Sequence, residues 1–229
     1  MISSVKNSIL LPGSFFDDQW ETKIEMIQDK IICNTIYLFD HRTNPLNKTF
    51  TVYKQFEAIN KLLVHDPNLR LGTLVTNISK QDDRVLAQEL NEIFRITSSF
   101  DFGIGLGDNR YEKSVRKDNA SIEQAINKLI ETFNFDKEGR SIFIGGFSGY
   151  TQYLATRFGL GMNLWKKDPK DLGKLVSSKN DNNKGRNSIT IRPSIEIPEQ
   201  THNSLLDEVI YIIKDSTLDE FSDQLDIIK

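Results

Sequence analysis

The feature that most constrains the fold is a regular alternation of short β-rich runs with longer amphipathic helical patterns. Such alternation is typical of parallel βα units, in which each helix leads back to the start of the next parallel strand. The pattern predicts eight strands, at Ser8–Leu11, Thr35–Phe39, Leu69–Thr76, Phe100–Ile104, Ser141–Ile144, Met162–Leu164, Ile189–Ile197 and Val209–Ile213. The helical patterns cover Trp20–Ile31, Val52–Leu63, Asp82–Ile96, Ser121–Phe133, Tyr150–Phe158 and Leu218–Ile228. Eight parallel strands predict a closed α/β barrel of the (β/α)8, or TIM-barrel, type.

The last connection of the predicted barrel is irregular. The residues between Ile197 and Val209 are too few for an ordinary crossover helix, so a degenerate connection is expected between strands seven and eight. The chain has 229 residues, with no tandem repeat and no linker that would divide it. A barrel can reach this length without a domain break, and one domain over residues 1–229 is therefore expected.

Composition and charge argue against several classes of partner. The formal net charge is −3, and no basic face dominates, so binding to nucleic acid is not expected. No apolar run approaches the length of a membrane span, and no signal peptide is visible. The single cysteine, Cys33, excludes an internal disulfide and fits a reducing compartment. These observations predict a cytoplasmic protein with no membrane partner.

The first candidate site residue is His41, which follows the second predicted strand directly after Asp40. Active sites of such barrels lie where strands end and helices begin, and a histidine there can exchange a proton near neutral pH. The alternative is a surface loop histidine that bonds a neighbouring carboxylate. The other histidines, His65 and His202, fall in loops predicted to lie elsewhere, and no metal-ligand spacing joins the three. No metal site is expected.

The second candidate is the glycine-rich end of the fourth strand, with Gly103, Gly105 and Gly107 followed by Asp108. Alternate glycines at a strand end allow a ring or a phosphate to approach the backbone. The run lacks the third glycine of the dinucleotide fingerprint. Tight packing at the barrel wall explains the glycines equally well. Asp108 is a carboxylate predicted at the barrel mouth and is therefore a candidate catalytic acid or base.

The third candidate is the small-residue run between the fifth strand and the helix that follows it. It consists of Gly145, Gly146, Phe147, Ser148 and Gly149. Small residues before a helix expose backbone N–H groups, and the helix dipole favours an anion there. Barrels often bind phosphate in such a loop, so this run predicts a phosphate site. The alternative is a plain turn in which Ser148 caps the helix.

Taken together, these runs resemble the luciferase-like flavin oxidoreductases. That superfamily includes monooxygenases that use reduced flavin mononucleotide (FMN) and reductases or dehydrogenases that use the deazaflavin coenzyme F420. The matching runs are Ile36–His41, Leu69–Thr76, Val85–Leu90, Phe102–Gly107 and Ile142–Trp165. The most specific are Leu71–Thr76, Ile144–Gly146, Leu154–Gly159 and Asn163–Trp165. The likeness covers roughly residues 8–165, and it depends on the order and spacing of the runs.

The resemblance implies roles for individual residues. His41 matches a histidine near the cofactor ring and Asp108 an acidic residue of some deazaflavin-dependent members, so both are predicted to be catalytic. The third strand matches a region that often carries a non-proline cis peptide behind the ring. Cofactor contacts are therefore predicted at Asp40, Gly72, Thr73, Leu74, Val75, Gly105, Gly107, Gly145, Gly146, Phe147, Ser148 and Gly149. The resemblance also implies a homodimer, and leaves open whether the cofactor is FMN or coenzyme F420.

The chain departs from the family pattern in two places. After the third strand the family usually has a proline and then an Arg-His-Pro-like segment, whereas residues 77–83 read Asn-Ile-Ser-Lys-Gln-Asp-Asp. The family also usually inserts a long substrate-covering segment between strands four and five, but here Ser141 follows Phe133 within eight residues. A minimal lid protects reactive flavin intermediates poorly and counts against monooxygenation more than against cofactor binding.

Two further functions are alternatives. The first is a non-catalytic protein that binds or senses a flavin, and the short lid favours it. The second is a barrel isomerase or aldolase for sugar phosphates. That activity needs a strand-end lysine or paired acids, and the middle strands offer no such lysine. The preferred prediction is an oxidoreductase that transfers hydride between the cofactor ring and a small organic substrate.

Overall fold

The computed structural model describes residues 5–41, 51–107, 117–135, 137, 139–165, 185–195, 206–214 and 216–228. Its strands are β1 (Lys6–Leu10), β2 (Ile36–Leu38), β3 (Leu71–Asn77), β4 (Phe100–Gly105), β5 (Arg140–Gly145), β6 (Gly161–Trp165), β7 (Ser188–Ile191) and β8 (Glu208–Ile212). The helices in these ranges are α1 (Trp20–Lys30), α2 (Gln55–His65), α3 (Asp83–Ile96), α4 (Asn119–Phe133), α5 (Gly149–Phe158) and α6 (Leu218–Ile228). No helix in these ranges has the length and apolar character that a bilayer span requires.

The eight strands form a closed barrel in which all neighbouring strands are parallel. Closure is made between β1 and β8, where Lys6 pairs with Glu208 and Leu10 with Ile212. The prediction of an eight-stranded α/β barrel is therefore confirmed. The described residues between β7 and β8, 192–195 and 206–207, contain no helix, in line with the predicted irregular connection.

Several predicted boundaries were wrong, and the reasons for two of them are visible here. Strand β7 ends at Ile191 and not at Ile197, since Pro193 lacks the N–H group that would continue the ladder. The chain turns there, and Ile195 N–H donates to the carbonyl of Arg192 at 3.0 Å. The predicted start of α4 at Ser121 was also wrong. Asp118 caps that helix, and its carboxylate accepts the Ser121 N–H at 2.7 Å.

The barrel wall separates two apolar clusters. The outer cluster lies between the strands and the helices and includes outward-facing residues such as Phe100, Phe102 and Ile142. The inner cluster fills the barrel and consists of Leu10, Tyr37, Phe39, Leu74, Phe143 and Ile210. This division follows from strand geometry, because successive side chains of a strand point to opposite faces.

Two glycines make room for the large rings inside the barrel. A Cβ atom on Gly72 would lie 2.6 Å from the Tyr37 ring, and one on Gly103 would lie 2.4 Å from the Phe143 ring. The two rings meet edge to face with their centroids 6.0 Å apart. The interior is therefore filled by aromatic residues that stand opposite glycines on neighbouring strands.

Below these rings, a buried polar layer closes the amino-terminal end of the barrel. Glu208 and Asp101 are 1% and 0% exposed. Asp101 accepts hydrogen bonds from Arg70 and Arg186, the former at 2.6 Å, and Tyr37 Oη donates to Glu208 at 2.9 Å. Ser8 donates to the other Glu208 oxygen. Thr35 Oγ1 donates to Asp101 at 2.7 Å, so the two buried carboxylates are compensated by two guanidinium groups and three hydroxyls.

We expect Arg186→Met to destabilise the barrel by about 3–5 kcal/mol at neutral pH, because it leaves buried carboxylates without their main counter-charge. Burial raises the pKa of Glu208 above the usual 4.5, and Arg186 opposes that rise. Because this pKa is raised, the folded state binds the proton of the Glu208 carboxyl more tightly than the unfolded chain does. The stability that this proton contributes is therefore lost as the pH rises above about 4.5, the pKa of this carboxyl in the unfolded chain. Without Arg186 this pKa rises further.

Urea unfolding of both proteins between pH 5 and pH 8 measures this effect. The loss caused by Arg186→Met should shrink as the pH falls towards 5. The control is Arg157→Met, which removes an exposed guanidinium 3.3 Å from Glu123 and should change stability little. A pH-independent loss for Arg186→Met would show that Glu208 does not titrate as described.

Candidate functional site

The carboxyl-terminal ends of the strands bring together most of the residues predicted to form a site. His41 and Asp40 follow β2, and Gly105 and Gly107 end or follow β4. The run 145–149 joins β5 to α5. Asp108, predicted to be catalytic, lies outside the described residues, as does His202. In parallel barrels this end is where ligands bind, since the loops there are free to diverge.

Val75 forms the floor of this end of the barrel. A Cβ atom on Gly105 would lie 2.4 Å from Val75 Cγ2, and one on Gly145 would lie 2.9 Å from Val75 Cγ1. The Val75 side chain is therefore wedged between β4 and β5, where only glycine leaves space for it. Together with Leu74 it packs with the inner apolar cluster. The site has an apolar floor with glycine walls.

The third strand is irregular next to this floor. The peptide bond between Leu74 and Val75 is cis, and the pairing of β3 with β4 shifts register between Thr73 and Thr76. The resemblance implied a non-proline cis bond in this strand, and that expectation is confirmed.

Two residues of the third strand that were predicted to contact a cofactor lie within the barrel wall. Gly72 stands opposite the Tyr37 ring, below the floor. Thr73 is 0% exposed, and its hydroxyl both donates to the Gly103 carbonyl and accepts the Gly103 N–H, each at 2.9 Å. These contacts fill the irregular pairing between β3 and β4. Gly72 and Thr73 thus lie below the floor and support it, and they are not exposed to a ligand at the barrel mouth.

An aromatic group borders the floor beside His41. The rings of Phe39 and His41 have centroids 5.1 Å apart, and those of Phe39 and Tyr53 are 5.0 Å apart. Tyr53 Oη donates to the Leu11 carbonyl at 3.2 Å and so ties the segment before α2 to the end of β1. The His41 side chain is exposed. The histidine therefore stands at the rim, where its ring is accessible to a ligand.

Two polar contacts beneath the rim were not predicted. Buried Gln55, the first residue of α2, donates to the Leu38 carbonyl at 2.8 Å and accepts the Thr76 hydroxyl at 2.7 Å. It therefore joins the ends of β2 and β3. In the sequence, Gln55 is marked only as a polar residue at the start of an apolar helical pattern. The helix was predicted to begin at Val52, three residues too early, so Gln55 did not appear as its first residue.

Asp40 and Gly107 order the rim between β2 and β4. Asp40 Oδ2 accepts the backbone N–H of Asn77 at 3.2 Å. Asn77 Oδ1 in turn accepts Ser79 Oγ at 2.7 Å and Ser79 N–H at 3.2 Å. Gly107 has φ +74°, and a Cβ atom there would lie 2.6 Å from Asn77 Nδ2. The glycine is needed both for this turn and for the close approach of Asn77.

The loop before α5 ends in a capping box. Ser148 Oγ accepts the Thr151 N–H at 3.1 Å, and Thr151 Oγ1 accepts the Ser148 N–H at 2.8 Å. The Gly146 N–H donates to the Asn163 carbonyl of β6 at 3.0 Å. Two of the four N–H groups of 146–149 that were predicted to hold phosphate are therefore used within the protein.

The remaining N–H groups at this helix start are those of Phe147, Gly149 and Tyr150. Among the described residues none of the three has a hydrogen-bond partner. A Cβ atom on Gly149 would meet nothing within 4 Å, so the space in front of the helix is open. Open N–H groups at a helix start, with the dipole behind them, are suited to an anion. In the described part of the chain no group of His, Cys, Asp and Glu has the arrangement of a metal site.

Comparisons with known proteins support the same fold. No protein-family model matches the chain, and no curated protein matches it in sequence. An F420-dependent secondary alcohol dehydrogenase, solved with an F420–acetone adduct, is similar in structure with a TM-score of 0.68 at 9% identity. The match covers 98% of this chain and 97% of that protein.

Two further structures are similar over a smaller share of their length. The coenzyme F420 dependent tetrahydromethanopterin reductase of Methanopyrus kandleri gives a TM-score of 0.62 at 13% identity, over 82% of this chain and 66% of the reductase. The FMN complex of the oxygenating constituent of 3,6-diketocamphane monooxygenase from Pseudomonas putida, a type II Baeyer–Villiger monooxygenase, gives a TM-score of 0.61 at 11% identity. That match covers 82% of this chain and 68% of the monooxygenase chain. At these identities the likeness establishes a shared fold, which agrees with the family resemblance found in the sequence.

The floor can be tested by changing both sides of one contact. Gly105→Ala should destabilise the protein by about 1–3 kcal/mol, since its new methyl group overlaps Val75 Cγ2. Val75→Ala removes that atom, so the double variant should recover most of the loss. Urea unfolding of the wild type, both single variants and the double variant gives the coupling energy. Additive losses would show that Val75 does not lie against Gly105.

Proposed function

We propose that this protein is an oxidoreductase that binds FMN or coenzyme F420 over the carboxyl-terminal end of the barrel and transfers hydride between the cofactor ring and a small organic substrate. The proposal depends on two neighbouring surfaces. One is the apolar floor at Val75 with its glycine walls, and the other is the open start of α5, the helix that follows β5. A flat ring and a phosphate on one molecule require those two surfaces side by side.

The floor fits a flat, largely apolar ring. Val75 and Leu74 present apolar surface, and Gly105 and Gly145 leave the walls beside them without side chains. A bound flavin or deazaflavin supplies the redox chemistry, while the protein supplies orientation and electrostatics. Phe39 supports the rim next to His41.

The start of α5 fits the phosphate. The N–H groups of Phe147, Gly149 and Tyr150 would hold it, because Gly146 and Ser148 use their N–H groups internally. Ser148 Oγ already accepts the Thr151 N–H, but its hydroxyl proton can still be donated. Main-chain groups would therefore make most of the phosphate contacts.

His41 is the proposed proton-transfer residue within the described rim. It is exposed at the end of β2, and its ring packs against Phe39, which belongs to the inner cluster. An imidazole in that position can give or take a proton near neutral pH. Asp108 is proposed as a second proton-transfer residue, from its predicted position at the barrel mouth and from the family resemblance.

A non-catalytic flavin-binding protein is the second candidate, and one observation favours it. His41, the proposed proton-transfer residue, is exposed at the rim. A reaction that must exclude water requires cover over this residue. The short connection from Phe133 to Arg140 lies at the amino-terminal end of the barrel and does not bear on that cover. Binding without turnover would decide for this candidate.

Purified protein from a host that makes both cofactors provides the main test. The absorption spectrum of the copurified material identifies flavin or deazaflavin, and titration of the stripped protein with FMN and with coenzyme F420 ranks the two. The proposal requires saturable binding of at least one. Failure of both to bind at high micromolar concentration contradicts it.

Gly149→Asp should prevent cofactor binding while leaving the fold intact. Nothing lies within 4 Å of the new Cβ atom, and a carboxylate in the first helical turn is favourable to the dipole by about 0.3–1 kcal/mol. The same carboxylate repels a phosphate. We expect cofactor affinity to fall by roughly a hundredfold or more, in the range of a lost charge-assisted contact.

Gly149→Ala is the matched control, since it fills the same position without charge and should bind within a few fold of the wild type. Titration calorimetry and thermal unfolding of the two variants separate binding from folding. Equal cofactor affinity in Gly149→Asp and Gly149→Ala would place the phosphate elsewhere. Gly146 is unsuitable for this test, because its φ of +97° strains any side chain.

His41→Ala should reduce turnover and leave cofactor affinity within a few fold of the wild type. General acid–base residues contribute about 10²–10⁴-fold to rate, so a loss in that range is expected once a substrate is known. Until then, the rate of reoxidation of bound reduced cofactor is the measurement. A large fall in affinity with no effect on this rate would make His41 a binding residue.

A homodimer is also proposed, from the family resemblance and from three exposed apolar residues. Ile32 is 96% exposed, Val64 79% and Ile227 60%, and they lie at or just beyond the carboxyl-terminal ends of α1, α2 and α6. Such residues suit an interface. Light scattering should give twice 26.3 kDa at micromolar concentration, and Ile32→Asp should shift the mass towards the monomer. A wild-type mass near 26 kDa would contradict the dimer.

A further inference from the structure

An open cavity of about 740 Å³ lies at the amino-terminal end of the barrel, opposite the site described above. It lies beside the starts of β1, β4, β5 and β7 and the residue before β3. It is lined by Lys6, Arg70, Ser98, Ser99, Lys137, Gly139, Arg140, Ser141 and Arg186. Five of these nine residues are cationic, and none is acidic. The cavity is therefore an electropositive opening at the foot of the barrel.

Only part of that positive charge is compensated. Arg70 and Arg186 are both paired with Asp101, and Arg186 lies 3.7 Å from Glu208. Lys6, Lys137 and Arg140 form no ion pair with any other residue that the structure describes. Five cations against two carboxylates leave three positive charges at one opening.

The pKa of Lys6 reflects the same excess of positive charge. Its pKa is lowered from 10.5, first by burial and then by repulsion from Arg186 and Arg70. Attraction to Glu208 and Asp101 acts in the opposite direction and is smaller. An ammonium group whose pKa is lowered by its cationic neighbours is stabilised by any anion that binds between them.

Unmatched hydrogen-bonding atoms cluster in the same wall. Five buried side-chain atoms in the described residues lack a hydrogen-bond partner, and three of them are Arg140 Nε, Ser141 Oγ and Arg186 Nη1. Ser141 is 4% exposed. Buried donors are almost always matched, because leaving one unmatched costs about 1–3 kcal/mol. Three such atoms beside one cavity, of which Arg186 Nη1 lies 3.7 Å from Glu208, offer hydrogen bonds that a ligand with several acceptor oxygens can satisfy.

Arg140 is already fixed in position for such a ligand. Its guanidinium lies 3.9 Å from the centre of the Phe94 ring, and Nη1 donates to the Phe133 carbonyl. Both contacts restrict the side chain and leave Nε without a partner. A guanidinium held in this way loses little conformational entropy when it binds an oxyanion.

We propose that this cavity binds a multiply charged phosphate ligand of the diphosphate type, at a site separate from the cofactor phosphate site at the other end of the barrel. Three uncompensated cations match the charge of a diphosphate, and its many oxygens match the unpaired guanidinium and hydroxyl donors. A single carboxylate offers too little charge and too few acceptors for this set.

Titration calorimetry with inorganic diphosphate tests the proposal, with Gly149→Asp as the parent protein so that the opposite end is closed to anions. Ser141→Ala, Lys6→Gln and Lys137→Gln, made in that parent, should each weaken binding by roughly fivefold or more. Ser141→Ala removes a hydroxyl that has no partner, so folding should be unaffected. The control is Lys128→Gln, which removes an exposed charge on α4 outside the cavity.

The expected result is one saturable site whose affinity falls in the three cavity variants, stays unchanged in the control, and decreases with added salt. No binding at millimolar diphosphate overturns the proposal, and so does equal binding in all four variants. Wild-type binding that Gly149→Asp abolishes places the anion at the opposite end and also overturns it. FMN and coenzyme F420 titrations of Ser141→Ala remain independent of this result, so the two proposals fail separately.

Discussion

The architecture depends on how two large rings are accommodated inside a narrow barrel. Tyr37 and Phe143 point inward from β2 and β5, and each has a glycine opposite it on a neighbouring strand, Gly72 or Gly103. Protein interiors are close-packed, so a side chain at either glycine would push a ring out of place. The pairing of ring with glycine fixes the middle of the barrel and separates its two ends.

The two ends then meet different physical demands. Below the rings, inward-facing Asp101 and Glu208 are fully buried and need cations, which Arg70 and Arg186 provide. Above the rings, the inward positions of β4 and β5 are glycines, and Val75 occupies the space between them. One end of the barrel therefore holds two buried carboxylates paired with guanidinium groups beside a cationic opening, while the other offers an apolar surface beside main-chain N–H groups.

The sequence predicted the parts of this arrangement that depend on periodicity. The barrel, the order of its elements and the clustering of residues 145–149 with His41 all follow from alternation and from the position of strand ends. It did not predict the partners of the glycines. Gly72 and Gly105 look equivalent in the sequence, yet one faces a buried ring below the floor and the other faces Val75 at the floor. That difference depends on the register between strands, which no local pattern encodes.

Long-range partners of polar residues were hidden for the same reason. Nothing in the sequence pattern singled out Arg186 or Asp101, yet the two meet across 85 positions of the chain. Ser148 shows the converse case, because the local pattern offered a helix cap as one of two alternatives and the structure contains that cap. Because that cap engages the serine, the open groups at the start of α5 belong to the backbone. Surfaces formed from glycines and main-chain N–H groups depend on backbone shape more than on residue identity, and backbone shape is what the structures at 9–13% identity share with this chain.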